Sequence, residues 1–294
     1  MSKLGFVGLG AMGGRITKRL LSKGHEVAGY DIYPPAQAKD LIEQGMWWAA
    51  SGREVCEAAD VTFVMVTNTA ALQSASDGPS GVLAGLSSGK LLIDMSTVSP
   101  RASRALAARV REKGAEMVDA PVSGSVSLVE QGKLSVMVGG TRAAFERAKP
   151  LLEDIGQKVT YVGENGLGLA MKIATNISIA VQMLALSESS VLAEKAGVPR
   201  ETVVEILTNS AIASPLVQYK GPLILKMAEQ AQFNTTMMQK DVTLALELGR
   251  ELHVPLPTAA IVNEMLSSAC GRGWGEKDFA ILYKLLGQMA GMPA

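Results

Sequence analysis

Short apolar runs recur through the first half of the chain and are separated by segments with helical periodicity. An uninterrupted apolar run of this length is typical of a strand that is buried on both faces of a parallel sheet. Strand, loop and helix alternating at this pace predict an α/β domain with a Rossmann-type, doubly wound parallel sheet. The predicted strands cover residues 4–7, 26–30, 61–66, 91–95, 116–119, 134–140 and 159–162.

The second half of the chain has helical periodicity and no strand pattern. Residues 168–195 form one segment that is apolar around most of its circumference, which predicts a long helix buried inside its domain or against another subunit. Further helices are predicted at residues 202–209, 222–230, 236–252, 258–271 and 278–288. We therefore predict two domains: a Rossmann-type domain at residues 1–162, and an all-α domain at residues 163–294 that begins with the long interdomain helix.

Composition and charge narrow the kinds of partner. Of the 294 residues, 48% are hydrophobic and 19% are charged, as in a folded globular protein. Lys plus Arg and Asp plus Glu number 28 each, so no net field would attract nucleic acid or an anionic membrane. The longest apolar run, residues 173–186, is shorter than the ~20 residues of a membrane span, and no secretory signal is recognisable. We expect a soluble cytoplasmic protein with no nucleic-acid or membrane partner.

The apolar long helix also favours a homodimer or a homotetramer, because a lone subunit would expose much of it. A monomer mass in sedimentation at micromolar concentration would contradict this expectation. Cys56 and Cys270 lie far apart and match no metal spacing, so we expect two buried thiols and no metal site. His25 and His253 stand beside no plausible nucleophile, and surface or structural roles are expected for both.

A glycine-rich turn follows the first predicted strand and opens a helix. Its residues are Gly8, Leu9, Gly10, Ala11, Met12 and Gly13. Gly8 permits a tight turn, Gly10 lets the backbone approach a pyrophosphate, and Gly13 lets the helix pack on the strand. The helix N-terminus then favours the diphosphate. Asp31, at the end of the second strand, would accept from the ribose hydroxyls and repel a 2′-phosphate, so NAD is the expected cofactor and NADP the alternative.

Polar side chains stand where several later strands end: Thr67, Asn68, Thr97 and Ser123. The carboxyl ends of parallel strands meet at one crevice, which favours ligand contacts for these residues. Taken singly, Thr67, Thr97 and Ser123 are better explained as helix caps than as ligand contacts, and only their shared position at strand ends favours a site role.

The glycine-rich stretch at residues 163–168 leads into the long helix, where Lys172 and Asn176 lie four residues apart and share one face. Lys172 is otherwise explained as a surface lysine whose stem covers apolar area. Lys240 stands in an apolar helix, and an ion pair with Asp241 or a nearby acid is as plausible for it as a site role.

Four motifs together resemble the β-hydroxyacid dehydrogenase family, which includes 3-hydroxyisobutyrate dehydrogenase and tartronate semialdehyde reductase. They are Gly-Leu-Gly-Ala-Met-Gly at 8–13, Asp-Ala-Pro-Val-Ser-Gly at 119–124, Gly-x-x-Gly-x-Gly-x-x-x-Lys-x-x-x-Asn at 163–176 and Lys-Asp at 240–241. The resemblance implies that Lys172 is catalytic, that Ser123, Gly124 and Asn176 bind the substrate, and that Asn68, Thr97 and Lys240 lie near the cofactor. It also implies a second domain like that of 6-phosphogluconate dehydrogenase.

The chemistry agrees with the resemblance. Hydride removal from a hydroxyl-bearing carbon needs a group that takes the O–H proton, and a lysine in a partly apolar crevice can lose and regain a proton near neutrality. We predict an oxidoreductase that transfers a hydride between NAD and a small, carboxylate-bearing 3-hydroxy acid, or reduces the semialdehyde. Alternatives are an NADP-dependent glyoxylate or succinic semialdehyde-type reductase and an imine reductase. A non-enzymatic dinucleotide-binding protein is a third alternative, which the presence of Lys172 disfavours.

Two positions depart from the family pattern. Ser125 replaces a second glycine, and Val129 stands where a small alanine is common. Both are expected to flank the substrate pocket, with Ser125 among the substrate contacts. The departures leave the reaction class unchanged and the identity of the substrate open.

Overall fold

A computed structural model of the chain describes residues 2–124 and 126–292, without the side chains of Val126 and Ser127. The chain divides into two compact units, Met1–Lys172 and Ile173–Ala294, and the division falls inside the longest helix.

The first unit contains a nine-stranded sheet in the order β3-β2-β1-β4-β5-β6-β8-β7, with β9 paired to β8. The strands are β1 (Lys3–Val7), β2 (Glu26–Tyr30), β3 (Trp47–Trp48), β4 (Val61–Val64), β5 (Leu91–Asp94), β6 (Glu116–Asp119), β7 (Val122–Ser123), β8 (Ser135–Gly140) and β9 (Lys158–Gly163). Neighbouring strands from β3 to β6 are parallel. The α/β fold with a doubly wound sheet is thereby confirmed.

The far edge of the sheet differs from the expectation of a wholly parallel sheet. Strand β8 runs antiparallel to both β6 and β7, and β9 runs parallel to β8. The two-residue strands β3 and β7 were not predicted, because two residues are too few to show a period. The direction of β8 could not be predicted either, because an apolar run has the same sequence pattern beside a parallel or an antiparallel neighbour.

Helices cover both faces of the sheet. In the first unit they are α1 (Gly13–Ser22), α2 (Lys39–Glu43), α3 (Gly52–Ala58), α4 (Thr69–Ser76), α5 (Val82–Gly85), α6 (Pro100–Glu112), α7 (Val126–Glu130), α8 (Arg142–Glu153) and the start of α9 (Leu167–Lys195). Two apolar clusters result, one around the stacked rings of Phe6 and Phe63 and the other around Val7, Cys56 and Leu92. Alternating strands and helices bury apolar side chains on each face of such a sheet, which stabilises the domain.

The cysteines and histidines have the following environments. Cys56 is buried, and burial raises the pKa of its thiol to about 11. Cys270 is only partly buried, so the expectation of two buried thiols was wrong for it. His25 is structural, with Nε2 2.9 Å from Oδ2 of Asp154, and His253 is exposed, as expected.

The second unit is helical. Besides the rest of α9 it contains α10 (Arg200–Asn209), α11 (Pro215–Leu225), α12 (Thr235–Glu251), α13 (Pro257–Gly271) and α14 (Leu282–Met289), with a 3₁₀ turn at Phe279–Ile281. Its core packs around Met183, Val242 and Leu266. A buried ion pair adds to that core: Lys220 Nζ lies 2.7 Å from both carboxylate oxygens of Asp278.

The predicted helix at residues 222–230 was placed wrongly. Helix α11 starts at Pro215, where the Ser214 hydroxyl accepts from Val217 N–H at 3.3 Å, and Pro222 lies inside it. Both prolines could stand in the first turn of a helix, where the missing N–H costs nothing. The Ser214 cap makes Pro215 the first residue of the helix, whereas the sequence-based prediction had started the helix at Pro222.

Helix α9 is long and apolar enough to cross a membrane by length and composition alone, with a mean hydropathy of 1.5 over its best 18-residue window. The sequence analysis judged only the apolar run at residues 173–186, which is shorter than the whole helix. Within this structure 44% of the window is buried, and the core helix of a soluble protein passes the same test. A single helix of this kind is weak evidence for a span.

Candidate active site

Two glycines of the turn after β1 are required by the fold itself. Gly8 has φ +96°, and a Cβ added there would lie 2.1 Å from the Met65 carbonyl oxygen. A Cβ at Gly13 would lie 2.0 Å from the Gly8 carbonyl oxygen. Gly10 is different, because a Cβ there would meet no atom within 4 Å. The described part of the chain therefore gives no steric reason for glycine at position 10, whereas close approach of a ligand to the backbone would.

The N-terminus of α1 is suited to an anion. Met12 stands at its N-cap without a side-chain hydrogen bond, and the first turn carries no acidic residue. The partial positive charge of this helix end therefore meets no carboxylate of α1 itself. Together with the space beside Gly10, this arrangement fits the diphosphate of a dinucleotide.

Asp31 braces the glycine-rich turn. Its Oδ2 accepts from Leu9 N–H at 2.6 Å and its Oδ1 accepts from Tyr33 N–H at 3.0 Å. The carboxylate lines a cavity of about 490 Å³, within the range of small-molecule sites. The other residues lining it are Leu9, Gly10, Ala11, Gly14, Arg15, Lys18, Tyr33, Pro34, Gln37, Ala38, Asp40, Leu41, Trp48 and Glu130. Asp31 thus shapes the turn and lines the cavity, and its contact with a ribose stays a prediction.

The strand order brings the predicted polar positions to neighbouring carboxyl ends. Thr67 and Asn68 follow β4, and Thr97 follows β5. Ser123 is the last residue of β7, and Gly124 follows it. Asn68 caps a helix, because its Oδ1 accepts from Ala71 N–H at the start of α4, at 2.8 Å. Thr67 is exposed, Thr97 and Ser123 are partly buried, and Gly124 is exposed with φ +141°. Ser125 lies outside the described residues.

Lys172 and Asn176 lie one turn apart on α9. Lys172 is 9% exposed, so the explanation of it as a surface lysine is wrong. Asn176 is buried as well. A lysine is seldom buried in a protein unless its charge is compensated or used.

A buried carboxylate fixes the start of the helix that carries Lys172. Oδ1 of Asp119 accepts from Gly166 N–H at 2.6 Å, and Oδ2 accepts from Leu169 N–H at 3.0 Å. The carboxylate also fills the space where a Cβ of Gly139 or Gly168 would lie. Burial raises the pKa of the Asp119 carboxyl, although both N–H donors oppose the rise. Asp119 therefore sets the position of the first turn of α9, three residues before Lys172.

Asp94 is the register partner of Asp119 on the adjacent parallel strand. It is fully buried, its Oδ1 accepts from Ser96 N–H at 3.0 Å, and its Oδ2 has no hydrogen-bond partner among the described residues. Burial, followed by the neighbouring charge of Asp119, raises the pKa of Asp94 to about 7 against the opposing hydrogen bonds of Ser96. Two carboxyl groups are thus buried side by side below the strand ends.

In the second unit, Asn176 and Lys240 share one carboxylate. Nδ2 of Asn176 donates to Oδ2 of Asp241, and Lys240 Nζ lies 2.7 Å from Oδ1. Asp241 is buried, with 2% of its surface exposed. The ion pair foreseen for Lys240 is therefore present, and its place beside the nicotinamide stays a prediction. The sequence analysis considered Asp241 only as an ion-pair partner of Lys240 and did not predict the hydrogen bond between Asp241 and Asn176.

Comparison with known proteins agrees with this arrangement. Residues 3–163 match the NAD binding domain of 6-phosphogluconate dehydrogenase, and residues 166–286 match the NAD-binding domain of NADP-dependent 3-hydroxyisobutyrate dehydrogenase. The chain is 35% identical over 291 residues to 2-(hydroxymethyl)glutarate dehydrogenase of Eubacterium barkeri, a match that covers 99% of this chain and 96% of that protein. The chain belongs to the β-hydroxyacid dehydrogenase family.

Further members of the β-hydroxyacid dehydrogenase family match over almost the whole chain. Identity to 2-hydroxy-3-oxopropionate reductase of Escherichia coli strain K12 is 35%, over 98% of each chain. The crystal structure of 3-hydroxyisobutyrate dehydrogenase from Salmonella typhimurium has a TM-score of 0.87 and 29% identity, and the match covers 97% of this chain and all of that one. The resemblance drawn from the sequence motifs is confirmed, and the chain is an oxidoreductase with a nicotinamide dinucleotide cofactor.

Proposed function

We propose that the chain transfers a hydride between NAD and a small 3-hydroxy acid, or reduces the corresponding semialdehyde, with Lys172 as general acid and base. The observation that carries the proposal is a buried lysine one turn from a buried asparagine, on a helix whose first turn Asp119 fixes. The names of two relatives support the substrate class, since one is a 2-(hydroxymethyl)glutarate dehydrogenase and the other a 2-hydroxy-3-oxopropionate reductase.

The nicotinamide, when bound, would supply or accept the hydride, and a side chain of the protein transfers the proton. In oxidation, Lys172 Nζ takes the proton of the substrate hydroxyl, and in reduction it returns that proton to the new alkoxide. A charged Nζ also stabilises the oxygen while negative charge develops on it. Asn176 orients a substrate oxygen without adding charge. Since a carboxylate only accepts, the bond to Asp241 fixes which end of the Asn176 amide faces it.

The substrate carboxylate is assigned to the turn at Ser123 and Gly124. Successive backbone N–H groups in such a turn form a site for an anion. The Ser123 hydroxyl adds a further donor. Val129 is fully buried in the apolar cluster around Phe6 and Phe63. The expectation that it flanks the substrate is therefore not supported.

A matched pair of substrates tests the proposed function. We expect kcat/KM for 3-hydroxyisobutyrate, 2-(hydroxymethyl)glutarate or glycerate to exceed that of isobutanol, which lacks a carboxylate, by about 10²-fold or more. The reason is that a site with unpaired donors rejects a substrate that cannot satisfy them. Absorbance of NADH reports turnover. Equal rates with and without the carboxylate would favour an aldehyde or imine reductase instead.

The preference for NAD rests on Asp31, and Arg15 and Lys18 in the same cavity are the observation that favours NADP. We expect Asp31→Asn to lower the ratio of kcat/KM for NAD to that for NADP by about 10-fold, because about 1.4 kcal/mol of repulsion towards the 2′-phosphate is enough for that change. We choose asparagine because its amide oxygen can still accept from Leu9 N–H, whereas alanine has no acceptor at this position.

Asp40→Asn is the matched control for Asp31→Asn, since Asp40 lines the same cavity and is exposed. Its cofactor ratio should change by less than about 3-fold, because solvent screens a charge in an exposed position. A wild-type enzyme that prefers NADP, or an unchanged ratio in Asp31→Asn, would contradict the assignment of NAD.

A further inference from the structure

Arg19 links α1 to two distant segments of the first unit. Its Nε–H donates to the Asp154 carbonyl at 2.5 Å, and its Nη1–H donates to the Glu130 carbonyl at 2.9 Å. The residue lies on the helix that starts at Gly13, the end assigned to the cofactor diphosphate. The two acceptors are 111 and 135 residues away along the chain.

Both acceptors lie at the C-termini of helices. Glu130 is the last residue of α7, and Asp154 directly follows the last residue of α8. The final carbonyls of a helix have no partner within it and carry partial negative charge. A guanidinium is permanently charged and presents several N–H groups in one plane, so it can satisfy both helix ends at once.

Gly132 leaves open the space that the guanidinium of Arg19 occupies. It has φ +65°, and a Cβ added there would lie 2.0 Å from Arg19 Nη2. The turn that closes α7 therefore leaves room for the guanidinium only because position 132 has no side chain. A second contact, between the side chains of Arg15 and Glu130, is 3.6 Å long and exposed, and such pairs contribute little.

Helix α7 lies directly after the turn assigned to the substrate carboxylate. A Cβ added at Gly124 would lie 3.3 Å from Leu128 Cδ1 of α7, so the helix packs against that turn. We propose that Arg19 is a positioning residue that ties the cofactor-binding helix α1 to α7 and thereby sets the Ser123–Gly124 turn for the substrate. The role assigned to that turn rests on the proposed function.

Kinetics separate positioning from a purely structural role. In Arg19→Ala we expect KM for 3-hydroxyisobutyrate to rise about 10-fold, while Kd for NADH changes less than about 2-fold, well below the melting temperature. Arg19→Lys should lie between wild type and Arg19→Ala, because one ammonium cannot reproduce the planar fork. Arg53→Ala is the control, since Arg53 is an exposed arginine of α3 whose ion pair with Glu57 is local. Its KM should not change.

Hydrogen exchange tests the same tie without any substrate. The amides of Gly132 and Lys133 close α7 by donating to the carbonyls of Val129 and Leu128. In Arg19→Ala they should exchange about 10-fold faster, whereas the amide of Gly45, which closes α2 in the same unit, should not change. Faster exchange with an unchanged KM would overturn the positioning role, and unchanged exchange would overturn the tie. A wild-type enzyme that oxidises no hydroxy acid would refute the proposed function, and exchange would still decide the tie.

Discussion

Lys172→Met is expected to lower kcat about 10³-fold in both directions of hydride transfer, while Kd for NADH changes less than about 3-fold. General acid–base catalysis by one side chain contributes typically 10²–10⁴-fold. Methionine has a similar length and is apolar, so it fills the space of the buried lysine stem without an amino group. The loss should therefore concern the proton and leave packing intact. Stopped-flow absorbance of NADH and fluorescence titration measure the two quantities.

Lys195→Met provides the control for Lys172→Met, because Lys195 is exposed at the other end of the same helix. It removes one ammonium group from α9 without touching the buried position, and kcat should stay within about 2-fold of wild type. The acid–base role would be refuted if Lys172→Met kept wild-type turnover. A matching loss in Lys195→Met would instead indicate a general effect on the helix.

Features carried by consecutive residues could be predicted from the sequence. The apolar runs gave the strands with errors of one or two residues, because burial on both faces leaves an uninterrupted signature. The glycine-rich turn was recognised by its context, and Gly10 shows why: its lack of a side chain has no explanation in the described packing. Lys172 and Asn176 were paired correctly on one helix face, because helical spacing is a local property.

The distant partners of two buried carboxylates, Asp119 in the first unit and Asp241 in the second, could not be predicted from the sequence. Asp119 accepts from Gly166, which is 47 residues away, and Asp241 accepts from Asn176 at a separation of 65. Asp94 ends an apolar run, as Asp119 does, but only the strand order makes the two neighbours. The partners of Arg19 could not be predicted either, since both are backbone carbonyls of segments far away along the chain.

The pair formed by Asp94 and Asp119 gives the wild-type protein a specific dependence of stability on pH. The pKa of Asp94 is raised from its ordinary 3.8 to about 7 in the folded state. Above pH 4 the unfolded chain can ionise this group freely, whereas the folded chain must keep the proton or place a charge in a buried site. Stability from this group is therefore fully present below about pH 4, is lost progressively as the pH rises from there to about 7, and then stays constant.

Asp94→Asn should remove this dependence, because asparagine resembles the protonated acid in shape and does not titrate. The free energy of unfolding of the variant relative to wild type should shift in favour of the variant as the pH rises from 5 to 7. The limiting slope is about 1.4 kcal/mol per pH unit. Urea unfolding at pH 5, 6, 7 and 8 measures it, with the exposed Asp60→Asn as control. A difference that stays constant across this range would show that Asp94 is ionised in the folded protein throughout, and that the hydrogen bonds from Ser96 accommodate its charge.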